Sequence, residues 1–502
     1  MNIGLIYTLE EVADNKALLP DALNIPFGIS FIASAMKVAG HTVKLLVLAP
    51  DTNIFEVVSR FINEFNPRMF CLTSVATQYP IISETAKTIK LIDNSIFNVV
   101  GGVHATLQPD LVIQNKFFDA MCIGEGEVAV VSLAAAVEKK IQPANIPNLW
   151  IRNSDDGTIE KNDIGLFINE LDTLPYIERK LWDPWIASKP IKTQHILMGR
   201  GCPFKCTYCS NHILADTQDG KYVRFRSPEN IIGELQDILL HYPDVDSIYF
   251  EVETFGASTK YAMNFCEKLE EFNKSLQRPV QYGINMAVTR TIGRNVELIE
   301  AMKRANFSFV NIGLESGSER VRRDVLKRPV YSNQDLIEFC KMARERSIKV
   351  NLFVLLGVPG ETIDDFKQTI DCAKQCLPNS CMVSIFYPYP GTRLFDIAKE
   401  QKLMNDDLDT RNERRTTVLR LKDFPRWRIQ YENVMFHFKV FKGQMPFYKR
   451  FLYILRRLMF MSPWLNSLYM YFVYKSWIGA VINERISRRQ FRTEEDRTEL
   501  QK

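Results

Sequence analysis

The chain has 502 residues, too many for one hydrophobic core, so two or three domains are expected. Hydrophobic residues make up 46% and charged residues 24%, the balance of a folded, soluble-type protein. A net charge of +4 is small for this size and gives no argument for nucleic acid; ten cysteines without regular spacing do not suggest a disulfide scaffold and point to reduced thiols in the cytoplasm. The opening residues MNIGLIYTLEEVADN have no basic n-region or cleavage site, and they read as a first strand rather than a signal peptide.

In chain order, Asn2–Tyr7 is a strand candidate. Gly28–Ala39 is a helix with the small residues Ser30, Ala33 and Ser34 on one face, ended by Gly40. Thr42–Leu48, Phe70–Ser74, Phe97–Gly101 and Ala120–Ile123 follow as strands. Short apolar strands alternating with helices imply a parallel, doubly wound α/β sheet over residues 1–145. Such sheets bind ligands beyond the carboxyl ends of their strands. Those ends carry Thr73-Ser74-Val75, Gly101-Gly102-Val103-His104 and Gly124-Glu125-Gly126-Glu127. Residues 146–190 read as a linker containing a hairpin, Leu149–Arg152 returning through Ile159, and then an irregular run with Pro175 and Pro184. A second α/β series spans 191–400, with strands expected at His195–Met198, Ser247–Glu251, Gln281–Asn285, Phe309–Gly313, Ile348–Leu356 and Met382–Phe386. Six strands are too few for a closed eight-stranded barrel and suit a partial (β/α)6 one. Residues 401–502 read as helical.

The chemistry concentrates just after the first strand of the second series, where Cys202, Cys206 and Cys209 fall within eight residues. Three thiolates so close on a loop can bind three irons of a cubane cluster and leave the fourth iron open to a small chelating molecule. The competing reading is a structural zinc site, for which His212 is near enough to be a fourth ligand.

This spacing, with an aromatic residue before the last cysteine, resembles the radical S-adenosylmethionine (SAM) superfamily. Further segments in the right order carry the resemblance: Phe250–Phe255 (FEVETF), Gly313–Ser318 (GLESGS) followed by Lys327, Gly357–Thr362 (GVPGET) and Tyr389–Leu394 (YPGTRL). The resemblance implies a [4Fe–4S] cluster on Cys202, Cys206 and Cys209. It also implies SAM held by Tyr208 beside the adenine, by Glu253, where relatives often carry paired aspartates, by Glu315 and Ser316, and by the close backbone approach of Gly357 and Gly360.

The first sheet has no G-x-G-x-x-G after its first strand, which argues against a dinucleotide site. It resembles the cobalamin-binding domain of the cobalamin-dependent radical SAM enzymes. That resemblance implies cobalamin near Thr73, Ser74, Gly101, Gly102, His104, Gly124, Glu125 and Gly126. The D-x-H-x-x-G motif that places a histidine beneath cobalt is absent, and neither His41 nor His104 has its context.

From Phe447 to Arg489 the sequence counts eight Lys or Arg against the single acid Glu484, with eleven aromatics between Phe447 and Trp477. The longest uncharged run, Leu458–Tyr474, is too short and interrupted for a spanning helix. It suits either a helix lying in a membrane interface or one packed on the barrel.

The resemblance as a whole implies an enzyme that reductively cleaves SAM to a 5′-deoxyadenosyl radical, with methylation of an unactivated carbon of a small molecule as the first expectation. A flavodoxin or ferredoxin would supply electrons. A cobalamin-dependent oxidative cyclase carries the same motifs, and a non-catalytic cobalamin or redox sensor is the alternative from another class.

Overall fold

The computed structural model describes residues 1–9, 19–405, 408, 413 and 416–461. The basic and aromatic segment expected near the C-terminus is therefore described only as far as residue 461. The chain divides into two compact units, one of residues 1–188 with 213–224, the other of residues 189–212 with 225 onward.

The first unit is built on β1 (Asn2–Thr8), β2 (Thr42–Leu48), β3 (Met69–Thr73), β4 (Phe97–Gly101) and β5 (Ala120–Cys122), all parallel in the order β2-β1-β3-β4-β5. The near-continuous burial of β1 and β3 follows from helices on both faces. These are α1 (Phe27–Val38) and α6 (Glu127–Glu138) on one side, α2 (Ile54–Phe65) and α3 (Tyr79–Ile92) on the other. The short helices α4 (Val103–Leu107) and α5 (Pro109–Ile113) follow β4. Ile6, Phe70, Leu72 and Val100 meet Val58, Ile62, Ile82 and Ala86 in one continuous core.

The stretch expected as a linker is instead part of this unit. Its hairpin, β6 (Leu149–Arg152) and β7 (Ile159–Lys161), adds antiparallel to β5 and covers what would have been an exposed sheet edge. Trp182 is fully buried, and its indole Nε1 donates to Ser30 Oγ (2.9 Å) on the small-residue face of α1.

The second unit is a six-stranded parallel sheet in chain order: β8 (Thr193–Leu197), β9 (Ser247–Phe255), β10 (Gln281–Met286), β11 (Phe307–Glu315), β12 (Lys349–Leu356) and β13 (Ser380–Ile385). Its edge strands β8 and β13 do not pair, so the barrel stays open. The crossover helices are α7 (Pro228–His241), α8 (Thr259–Ser275), α9 (Val296–Arg304), α10 (Asn333–Glu345) and α11 (Ile363–Cys376). Each starts where the sequence supplies a capping side chain: Ser227, Ser258, Asn295, Ser332 and Thr362 all accept a first-turn N–H. Beyond the barrel lie α12 (Arg393–Glu400), α13 (Arg426–Val440) and α14 (Phe447–Met461).

Candidate functional site

The strand order of the first unit reverses between β1 and β3, and in open α/β sheets a ligand crevice forms at that point, outside the carboxyl ends. Three buried polar atoms, Thr8 Oγ1, Ser74 Oγ and His104 Nε2, have no hydrogen-bond partner among the described residues there. Burying an unpaired polar group costs ~1–3 kcal/mol, so three at one edge call for a ligand that supplies partners. Gly102 holds φ +95°, and a Cβ on it would stand 2.7 Å from Ser74 O and 2.8 Å from Thr73 Oγ1. Glycine there is required by close packing of this turn against the end of β3. His104 is buried against the Tyr79 ring (centroids 4.6 Å apart), and desolvation lowers its pKa, which keeps the imidazole neutral. The orphaned hydroxyls of Thr8 and Ser74 and the imidazole of His104 suit a cofactor bound beyond these strand ends.

The Gly124-Glu125-Gly126 turn has partners of its own within the first unit. The Glu125 carboxylate takes two bonds from Arg224 (2.8 and 3.0 Å) and one from Ile168 N (2.8 Å). Gln218 Oε1 accepts from Glu125 N, and it sits where a Cβ on Gly124 (φ +75°) would fall. The turn thus clamps residues 213–224 to the first unit, and its carboxylate is occupied.

In the second unit the thiols of Cys202, Cys206 and Cys209 follow β8 at the carboxyl edge of the open barrel. Cys206 is buried and the other two half-buried. Without a metal, burial pushes Cys202 up to about 12 and raises the other two as well. N–H groups are aimed at the sulfurs: Asn211 N and Nδ2 stand 3.5 and 3.4 Å from Cys209 Sγ, and Arg328 Nη1 stands 3.9 Å from Cys206 Sγ. Such donors favour thiolate and tune iron–sulfur clusters. Among the described residues, no three His, Cys, Asp or Glu side chains converge tightly enough to hold a single metal ion. A cubane asks for a different arrangement, one thiolate per iron, and the donor set fits it. The loop is fixed from two sides. Thr207 donates to Val325 O (2.6 Å) and Leu326 O (3.1 Å), and Leu394 N, in the YPGTRL segment, donates to Thr207 O (3.0 Å).

Beside the thiols stand Tyr208, Glu315 and Arg328. Glu315 sits at a bulge in β11 with φ +58°, a strained conformation for a residue with a side chain. Burial raises its pKa, while Arg328 and Tyr208 pull it down. Arg328 donates to Tyr208 OH (3.2 Å) and to Gly313 O (2.5 Å). The sequence pointed to Lys327, but that side chain is exposed and its neighbour Arg328 turns inward. Glu253 lies on the interior face of β9, accessible yet crowded enough that its pKa is raised, and Asn211 hydrogen-bonds it.

Ser316 is fully buried, and its hydroxyl is shared between Ser318 N (3.2 Å) and Thr369 Oγ1 (3.3 Å), so it shapes the GLESGS turn from inside. Gly357 and Gly360 hold φ +82° and +75°, and Glu361 closes their turn by accepting from Gly357 N (2.6 Å) and Val358 N (3.3 Å).

Sequence reasoning missed one feature of the interior. By strand register, Asn285, Asn311, Asn351 and Ser380 form one layer, bonded in series, where barrels normally carry branched apolar residues. The series ends on Asn285 Nδ2, which stands 3.4 Å from Glu251 Oε2, and burial pushes that carboxyl up to about 7. The isolated asparagines give no sign of this layer; only the register aligns them.

Two family models match the chain, one in each unit. The radical SAM superfamily model matches residues 196–373, and the B12 binding domain model matches residues 22–134. The chain belongs to the radical SAM superfamily, with a B12-binding domain ahead of its barrel. This radical SAM enzyme is 27% identical to an uncharacterized methyltransferase of Pyrococcus horikoshii, over 80% of its own length and 84% of the other. It is 24% identical to an anaerobic magnesium-protoporphyrin IX monomethyl ester cyclase of Cereibacter sphaeroides, over 75% of its length and 60% of the other. Among solved structures it shares its fold with the cobalamin-dependent S-adenosylmethionine radical enzyme OxsB, at a TM-score of 0.65 and 14% identity, covering 98% of this chain and 75% of that one.

Proposed function

We propose that this radical SAM enzyme methylates an unactivated carbon of a small-molecule substrate. The observation that carries the reading is the gathering of three thiols, two of them supported by N–H donors, with Tyr208, Glu253, Glu315 and Arg328 at one edge of an open barrel, in a chain that also has a B12-binding domain. When bound, a [4Fe–4S] cluster supplies the electron that breaks a carbon–sulfur bond of SAM, and cobalamin supplies a carrier for a methyl group.

The chain's own part is binding and positioning. Cys202, Cys206 and Cys209 would each hold one iron. Tyr208 would flank the adenine, Glu253 and Glu315 would receive the polar groups of SAM, and the backbone at Gly357 and Gly360 would lie against its base. Ser316 acts through the shape of its turn. In the first unit, Thr73, Ser74, Gly101, Gly102 and His104 would meet the corrin, whereas Gly124, Glu125 and Gly126 support that edge through Arg224 and Gln218. Electrons would come from a flavodoxin or ferredoxin. We further place the enzyme in the cytoplasm with a peripheral membrane contact through its C-terminal segment; no described helix is long and apolar enough to cross a membrane.

The similarity to the cyclase of Cereibacter sphaeroides favours one second reading, an oxidative cyclisation on the same site. Anaerobic reaction of the reconstituted, reduced protein with SAM and a host-cell extract separates them. Methylation predicts 5′-deoxyadenosine together with S-adenosylhomocysteine and a methylated product. 5′-Deoxyadenosine without either of the other two defeats methylation and leaves the cyclase reading.

A further inference from the structure

The last described helix, α14, is docked with its polarity inverted. Toward the protein it turns cations and a tyrosine. Arg450 donates to Phe438 O (3.0 Å) and lies over the Phe438 ring (4.5 Å), the Tyr453 ring stacks on His437 (4.8 Å), and Arg457 donates to Asn433 Oδ1 (2.6 Å) and Val383 O (2.8 Å). Outward it turns apolar residues: Phe447 is 65% exposed, Tyr448 61%, Phe451 44%, Leu452 57%, Leu455 42% and Leu458 47%. At about 100° per residue these six fall in one stripe about 140° wide. A helix on a water-facing surface has the opposite arrangement, with its apolar stripe against the core.

The border of the stripe says what covers it. Lys449 and Arg456 are exposed along its edge, and the helix contains no acidic residue. An apolar stripe edged by charge of one sign complements an anionic bilayer, whose acyl boundary takes the Phe and Leu side chains while its headgroups meet the Lys and Arg. A protein groove would want the stripe but gives no reason for the one-signed edge. The sequence beyond continues in kind, with Lys475, Arg485, Arg488 and Arg489 against Glu484.

We propose that α14 is a membrane-interface helix whose outward stripe inserts among the lipids of an anionic bilayer. This deepens the peripheral placement proposed above and is independent of the chemistry in the barrel, because its test reads binding rather than turnover.

The test is co-sedimentation of the full-length protein with vesicles of phosphatidylcholine, alone or mixed with phosphatidylglycerol. Binding is expected to the mixed vesicles and to be much weaker to phosphatidylcholine alone. The double variant Phe451→Glu/Leu455→Glu should bind the mixed vesicles at least about tenfold more weakly. Leu240→Glu, at a 78% exposed leucine on α7, should bind like the parent. Equal thermal unfolding of all three proteins establishes that they are folded. The proposal is overturned if the parent ignores anionic vesicles, if the double variant binds as well as the parent, or if the parent is a dimer that the double variant dissociates without any vesicle binding. That last outcome would assign the stripe to a second copy of the chain.

Discussion

Arg328 is the side chain that ties the cysteine loop to the rest of the edge, because it reaches Cys206, Tyr208 and the carbonyl of Gly313 at once. A fixed cation beside a cluster favours the added electron, and hydrogen bonds to sulfur act in the same direction. Arg328→Gln should therefore make the bound cluster harder to reduce, seen as a more negative midpoint in a redox titration followed by electron paramagnetic resonance. An unchanged midpoint would remove Arg328 from that role. Glu361 makes a second prediction at this scale. It is buried with one oxygen bonded to the GVPGET turn and the other without a partner among the described residues, and burial pushes its carboxyl up to about 8. The folded chain keeps a proton that the unfolded chain gives up near its ordinary value of 4.5. The stability tied to that proton is complete below the unfolded value and is lost as pH rises through about 8. Glu361→Gln keeps an acceptor for the two N–H groups and has nothing to titrate, so its unfolding temperature should decline less than the parent's across that window.

At the scale of elements, helix α11 is a latch for the GLESGS turn. Thr369 Oγ1 accepts from Gly317 N (2.8 Å), and Asp365 accepts from Ser318 Oγ (2.6 Å), from Arg320 and from its own N-cap, Thr362. A Cβ on Gly317 would come within 2.5 Å of the α11 backbone, which explains glycine there without any appeal to the cofactor. Thr369→Val removes the hydroxyl and leaves a buried N–H unpaired, at a cost of ~1–3 kcal/mol. If the latch positions the turn, the variant should lose SAM affinity several-fold with its iron content unchanged; equal loss of iron would mean general unfolding instead. The hydrogen bonds around Asp365, Arg320 first, hold its carboxyl down to about 2 despite burial. Its contribution is present above the ordinary value of 3.8 and fades as pH falls toward about 2, so Asp365→Asn should flatten the acid limb of the stability curve.

On the whole molecule, the first unit is closed by a segment that the chain supplies late, residues 213–224. Arg224 and Glu125 are 3% and 12% exposed, and removing one member of such a pair leaves the other charge buried and uncompensated. Arg224→Met should destabilise the first unit by ~3–5 kcal/mol, with hydrogen exchange rising first in the β5–β7 region. Exchange rising evenly across both units would argue against a local clamp.

Much of the fold and site was legible in the chain alone. Strand and helix periodicity, N-cap residues and the clustered cysteines are local features, so the two α/β series, their strand ends and the loop of Cys202, Cys206 and Cys209 could be read directly. The segment with Tyr208 and the GLESGS and GVPGET turns were legible through their resemblance to the radical SAM superfamily. What pairs across distance was not. The inward turn of Arg328 in place of Lys327, the engagement of Glu125 by Arg224, the asparagine layer of the barrel and the inverted seating of α14 depend on strand register and helix rotation. Those are fixed by packing energies summed over many residues, and a one-residue change in either turns every side chain to another face.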